Sequence, residues 1–165
     1  IVLAGSCSAA TRRQVAHASG LWPHLKLDAG RIADGAPVAR DAVDWAGRQP
    51  QDAPVLIYSS ADPAEVAAIQ ARYGRDRAGA MMEATLGEIA KGLVDAGARR
   101  IVVAGGETSG AVVSALGVTA LRIGPEIDPG VPWTETLGTR RLALALKSGN
   151  FGGDDFFSKA LGMLR

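Results

Sequence analysis

Three short stretches of this 165-residue chain combine glycines with hydroxyl or cationic side chains: "GSCS" at residues 5–8, "GGETSG" at 105–110 and "KSGNFGG" at 147–153. Each follows an apolar run, so each is the turn that leaves a strand. Glycine lets a backbone approach a ligand closely, and the N–H groups that open a helix, backed by its dipole, favour an anion. In "GGETSG", Gly105 and Gly106 supply the permissive backbone, and Thr108 and Ser109 supply hydroxyls beside the start of the next helix. That chemistry suits a phosphate. Glu107 fits such a site if it caps the helix, binds a ribose hydroxyl or faces a phosphate-bound magnesium. In "KSGNFGG", Lys147 is a point charge for phosphate, and Gly149 and Asn150 offer close backbone and an amide. Ser6 and Ser8 of "GSCS" are the remaining ligand contacts. Each stretch also reads as a plain glycine turn with a capping hydroxyl, and the residues alone leave both readings open. The sequence contains neither the G-x-x-x-x-G-K-[ST] P-loop nor the dinucleotide fingerprint.

Other chemistries find less support. Cys7 is the only cysteine, and His17 and His24 stand in no motif that ties a base to it, so a packed thiol is expected over a nucleophile. The same three residues lack a metal-ligand spacing, so no protein-held metal is expected. Trp22, Trp45 and Trp133 are expected in the core or at an interface, with Trp133 bordering a pocket. No residue of this chain stands out as a catalytic group; Asp128 of "PEIDPG" is the one weak candidate for a general base.

The composition is that of a globular domain, with 47% hydrophobic and 21% charged residues and a net charge of +1. A chain of this length buries roughly two-thirds of its unfolded surface. No basic run is interleaved with aromatics and no apolar run spans a bilayer, so neither nucleic acid nor membrane is expected as a partner. A single cysteine and the lack of a signal-peptide pattern point to the cytoplasm. The chain opens directly on an apolar run without an initiating methionine, which reads as a piece of a longer polypeptide.

The elements that must position the three turns alternate. Strands are expected at 1–4, 24–27, 54–60, 99–105, 119–124 and 140–148. Helices are expected from Ser8 to about Ala18, from Pro37 through Val38, Ala42 and Trp45, from Pro63 to Ala96 with an interruption near Gly74, and from about Asp154. Met82, Leu86, Ile89 and Leu93 form a 4, 3, 4 series suited to packing on a sheet. The segment 124–138, with three prolines, reads as a long connection, so the last strand need not be parallel. The pattern predicts an α/β, three-layer, Rossmann-like sandwich around a mainly parallel sheet, without an internal domain boundary. If the strands are parallel, the three turns meet at their carboxyl ends, where open α/β sheets bind ligands.

Taken together, "LAGSCSAATRRQ", "VVAGGETSGAVVSALG", "RIGPEIDPGVPW" and "LALALKSGNFGGDDFF" resemble the C-terminal nucleotide-binding domain of the four-carbon acid sugar kinases, most of all their 3-oxo-tetronate kinase branch. The resemblance covers nearly the whole chain, 1–165. It implies transfer of the γ-phosphoryl group of ATP to the terminal 4-hydroxyl of a sugar acid, with magnesium. It also implies an N-terminal domain of the same polypeptide that supplies the acid site, so this chain alone is expected to be inactive. Ser6 or Ser8, residues 106–109 and Gly149 are the implied nucleotide contacts. Threonate or erythronate kinase, a non-catalytic nucleotide- or sugar-phosphate-binding module, and a homo-oligomer stay open.

Overall fold

A computed structural model describes residues 1–164. Seven strands form one sheet in the order β2-β3-β1-β4-β7-β6-β5. They are β1 (Val2–Ala4), β2 (His24–Lys26), β3 (Leu56–Tyr58), β4 (Arg100–Ala104), β5 (Leu121–Asp128), β6 (Val131–Thr136) and β7 (Ala143–Lys147). The helices are α1 (Ala9–Ser19), α2 (Ala29–Ala33), α3 (Val38–Gly47), α4 (Pro63–Tyr73), α5 (Arg75–Asp95), α6 (Gly106–Ala115) and α7 (Phe156–Gly162). Strands β2, β3, β1, β4 and β7 are mutually parallel, and β6 pairs antiparallel with both β7 and β5. The expected mainly parallel α/β sandwich is therefore present.

Period-two burial builds the layers. Leu3, Ile57, Ile101, Val103 and Leu144 pack with Val38, Leu86, Ile89, Leu93 and Val112 of α3, α5 and α6. Val2, Ala4, Leu56, Val102 and Ala145 point the other way, onto Val15 and Ala18 of α1 and Phe156, Phe157 and Ala160 of α7. Leu86, Ile89 and Leu93 of the 4, 3, 4 series of α5 lie on the sheet as their spacing predicts, whereas Met82 at its start lies outside that core. Central strands are covered on both faces, so their sequences are almost continuously apolar.

The segment from 124 to 138 differs from its sequence reading. It is no long connection: β5 and β6 form a hairpin whose turn holds Gly130 at φ 80°. The three prolines fall where ladder bonds are not needed. Pro125 sits on the edge strand at a shift of register between Ile123 and Glu126, Pro129 is in the turn, and Pro132 precedes the stretch Trp133–Glu135 that pairs with β7. An edge strand exposed from Arg122 to Glu126 also lacks the alternation that marks a half-buried strand. The last strand, β7, is parallel to β4. The short α2, capped by Asp28, was not foreseen because five residues carry no helical period. Among the described residues no helix is long and apolar enough to cross a membrane.

Candidate functional site

Helix α1 after β1 and α7 after β7 cover one face of the sheet, and α6 after β4 covers the other. Chains leaving the adjacent strands β1, β4 and β7 thus diverge, which opens a crevice at their carboxyl ends. The three glycine turns meet there. Gly5 N and Ser6 N donate to Ala104 O at 3.0 and 3.1 Å, and Gly105 N donates to Lys147 O at 2.9 Å. The first two turns are thereby stitched to the neighbouring strands.

The first and third turns are locked together. Ser8 Oγ accepts from Thr11 N, capping α1, and donates to Gly149 O at 2.6 Å; Thr11 Oγ1 donates to the same carbonyl at 2.8 Å. Ser8 N donates to Ser6 Oγ. A Cβ on Gly149 would stand 2.3 Å from Ser6 Oγ, so only glycine permits this approach. Lys147 is 1% exposed, and its ammonium donates to Thr11 Oγ1, Ser148 O and Gly149 O at 3.0–3.1 Å. Burial lowers its pKa to about 8. It is thus drawn in behind the third turn, where it braces that turn instead of presenting a free charge. Gln14, fully buried on α1, donates from Nε2 to the carbonyls of Phe151, Gly152 and Gly153. Asp128 accepts from Gly153 N at 3.0 Å and pairs with Lys159. The bond from Lys159 holds its carboxyl below the usual carboxylate range, which makes it a brace for the loop and a poor proton acceptor. Trp133, 2% exposed, donates from Nε1 to Ala160 O and ties the hairpin to α7; it also borders a small cavity beside β5.

The second turn is open. Gly105 has φ 131°, and Thr108, 4% exposed, is wedged against Gly5 and Gly105, whose added Cβ atoms would lie 2.1 and 2.8 Å from its Oγ1. The first helical bond of α6 runs from Ser109 N to Gly105 O, and no side chain caps the helix. The amides of Gly106, Glu107 and Thr108 have no acceptor among the described residues. A bare helix start of this kind can receive an anion through several N–H groups at once.

These residues border a cleft of about 390 Å³, walled on its far side by α4 and α5. Of the residues that the sequence reading names, Ser6, Gly105, Gly106, Glu107 and Thr108 line it. Ser8, Lys147 and Gly149 lie outside its wall, in the interlocked first and third turns; Asn150 is exposed and also outside the wall; Ser109 Oγ is buried on α6 without a partner among the described residues. Sequence reasoning missed the opposite wall: Val66 and Ile69 of α4, and Met82 and Glu83 of α5. Met82 was legible only as the end of a sheet-packing face. Thr11 and Gln14 were also missed; two polar residues three apart on the buried side of α1 were the available signal. Glu83 has a pKa above the ordinary carboxylate value, through burial first and the nearby charge of Glu107 second. Cys7 lines the cleft, and its Sγ accepts from Ala61 N. Neither His17 nor His24 has a hydrogen bond to it, and no group of three or more potential metal ligands occurs among the described residues.

Comparison with known proteins places this arrangement. The family model described as "nucleotide-binding C-terminal domain" matches residues 1–157. The chain is 56% identical, over 99% of its length, to a 3-oxo-tetronate kinase of Pseudomonas savastanoi, and 54% identical over 98% of its length to one of Methylobacterium radiotolerans. It spans 38% of each of these relatives. Among solved structures, a Haemophilus influenzae protein of the DUF1537 family superposes with a TM-score of 0.94 at 37% identity, covering 100% of this chain and 40% of that one. A Bordetella bronchiseptica DUF1537 structure, a domain-swapped dimer with bound citrate, shares the fold at TM-score 0.75 and 20% identity, over 97% of this chain and 39% of that one.

Proposed function

This chain belongs to the family of nucleotide-binding C-terminal domains, and on that premise we propose that it holds ATP for a kinase acting on a four-carbon sugar acid, 3-oxo-tetronate. The observation that carries this reading is the uncapped start of α6, where three unbonded amides stand at the meeting point of three parallel-strand turns. The phosphates of the nucleotide lie against Gly106, Glu107 and Thr108, and its ribose and base lie against Val66, Ile69 and Met82 in the apolar part of the cleft. The glycines and Thr108 take the place of a P-loop. Glu107 and the phosphate oxygens form a hard, all-oxygen donor set that fits magnesium, which neutralises phosphate charge during transfer.

In the reaction, the 4-hydroxyl oxygen of the acid bonds to the γ-phosphorus as the bond to the β,γ-bridging oxygen breaks, and ADP leaves. The hydroxyl proton goes to a base outside this chain, because Asp128 is held by Lys159 and Gly153. This chain's part is to orient the triphosphate and to keep its charge compensated. The relatives' remaining length is the source of the acid-sugar site.

The test is coupled ADP release by the intact protein with ATP, magnesium and a panel of 3-oxo-tetronate, threonate and erythronate. Turnover that is fastest with 3-oxo-tetronate is expected. Faster turnover with either other acid reassigns the substrate, and nucleotide binding without turnover on any acid refutes the kinase reading.

A further inference from the structure

A nucleotide brings several negative charges into the cleft, yet among the described residues no lysine, arginine or histidine lines it. Among the described residues its only charged lining groups are Glu83 of α5 and Glu107 of α6. Neither takes part in any ion pair among the described residues. The one lysine near the turns, Lys147, has its ammonium spent on Thr11 Oγ1 and two carbonyls. The polar groups that do face the cleft are ligand-ready. Thr108, 4% exposed, lines it with a hydroxyl that forms no hydrogen bond among the described residues, and the α6 amides beside it are unbonded. The cleft therefore offers donors for a phosphate and, on two different helices, carboxylates that repel it.

A cation that accompanies the anion reconciles those two facts. We propose that Glu83 and Glu107 together form a two-helix seat for the divalent cation of the bound nucleotide, so that the cleft admits the metal–nucleotide complex and rejects the metal-free nucleotide. The inference rests on the nucleotide reading above and adds to it a residue, Glu83, and a rule of selection. Magnesium is bound in such sites by one or two carboxylates together with phosphate oxygens, keeping several waters, so two carboxylates suffice without a third protein ligand. The alternative use of these carboxylates, as acceptors for ribose hydroxyls, needs no metal and so predicts a different response to chelation.

The experiment is calorimetric titration of the intact protein with ADP, once in magnesium and once in EDTA, comparing wild type with Glu83→Gln and Glu107→Gln. Glutamine keeps the shape of the side chain and removes its charge, and thermal melting checks that each variant is folded. In magnesium each variant should bind ADP about tenfold more weakly, through loss of a charged metal ligand. In EDTA the order should invert, each variant binding about threefold more tightly than wild type because a repulsive charge is gone. A loss of affinity by Glu83→Gln in both media would overturn the seat and assign the carboxylate to ribose hydroxyls. Equal affinity of wild type and Glu83→Gln in both media would overturn it as well. Failure of the folded wild type to bind ADP in either medium would instead remove the nucleotide reading itself.

Discussion

Gly105 holds φ at 131°, and a Cβ there would meet Thr108 Oγ1 at 2.8 Å and Ser6 N at 3.1 Å, whereas a Cβ on its neighbour Gly106 would meet nothing within 4 Å. The first glycine serves the fold and the second faces open space. A side chain at Gly105 combines backbone strain with collision, on the order of 2 kcal/mol of lost stability. At Gly106, the first residue of α6, a side chain enters the cleft beside the unbonded amides. Gly106→Val should therefore melt close to wild type while binding ADP at least about tenfold more weakly, the usual cost of losing a charge-assisted contact. Calorimetry showing unchanged ADP affinity in the folded variant would remove the phosphates from the start of α6. Cys7 lines the same cleft, but its thiol accepts from Ala61 N and has no histidine partner.

Strand β7 ends in a lysine whose amine braces its own turn against α1, so two elements share one buried charge. The pKa of Lys147 falls from 10.5 to about 8 because burial disfavours the charged form. Below pH 8 the lysine is protonated both folded and unfolded, and the desolvation cost is fully present. Between about pH 8 and 10.5 the unfolded chain still holds the proton and the folded chain has released it, so stability rises with pH across that window, by on the order of 3 kcal/mol in all. Urea unfolding of wild type and Lys147→Met from pH 7 to 10.5 isolates this group, since other titrations cancel in the difference. The gap should move in favour of wild type as pH rises, and a gap that stays flat would refute the buried-charge account. The hairpin of β5 and β6 braces the same loop from the other side. Asp128 accepts from Gly153 N, and Trp133 anchors α7 through Ala160 O. The segment "GPEIDPGVPW", which carries much of the family likeness, thus acts on the site through the 148–153 loop.

At the scale of the molecule, one end of the sheet gathers the three turns at a cleft, while the chain spans only 38% of the length of its kinase relatives. Orienting two reactants is worth roughly 7 to 11 kcal/mol of barrier, and a half-site cannot supply it. The 165-residue chain is expected to bind ADP yet to release none in an acid-dependent manner, while the intact protein does both. Coupled ADP release from each, with magnesium, ATP and 3-oxo-tetronate, decides the matter. Acid-dependent turnover by the short chain near the rate of the intact protein would place the acceptor site and its base within these residues.

Local pattern determined much of this protein. The three apolar runs that end in turns of glycine and hydroxyl residues are strands followed by helices, because backbone sterics and period-two burial act within a few residues. The turns at 5–8, 105–110 and 147–153 were legible for that reason, as were the Ser8 cap and the sheet-facing stripe of α5. Tertiary structure decided what depends on residues far apart in sequence. The register that sets β1 and β7 on either side of β4 makes three turns one crevice. Packing of α1 under the third turn converts Lys147 from a surface charge into a brace. The strand expected at 119–124 covers only the first half of β5; edge exposure concealed its continuation to Asp128, since a strand with one partner and a solvated face carries no alternation. Glu83 stands 24 residues before Glu107 on another helix, and only the fold of α5 against α6 brings both carboxylates to one cleft.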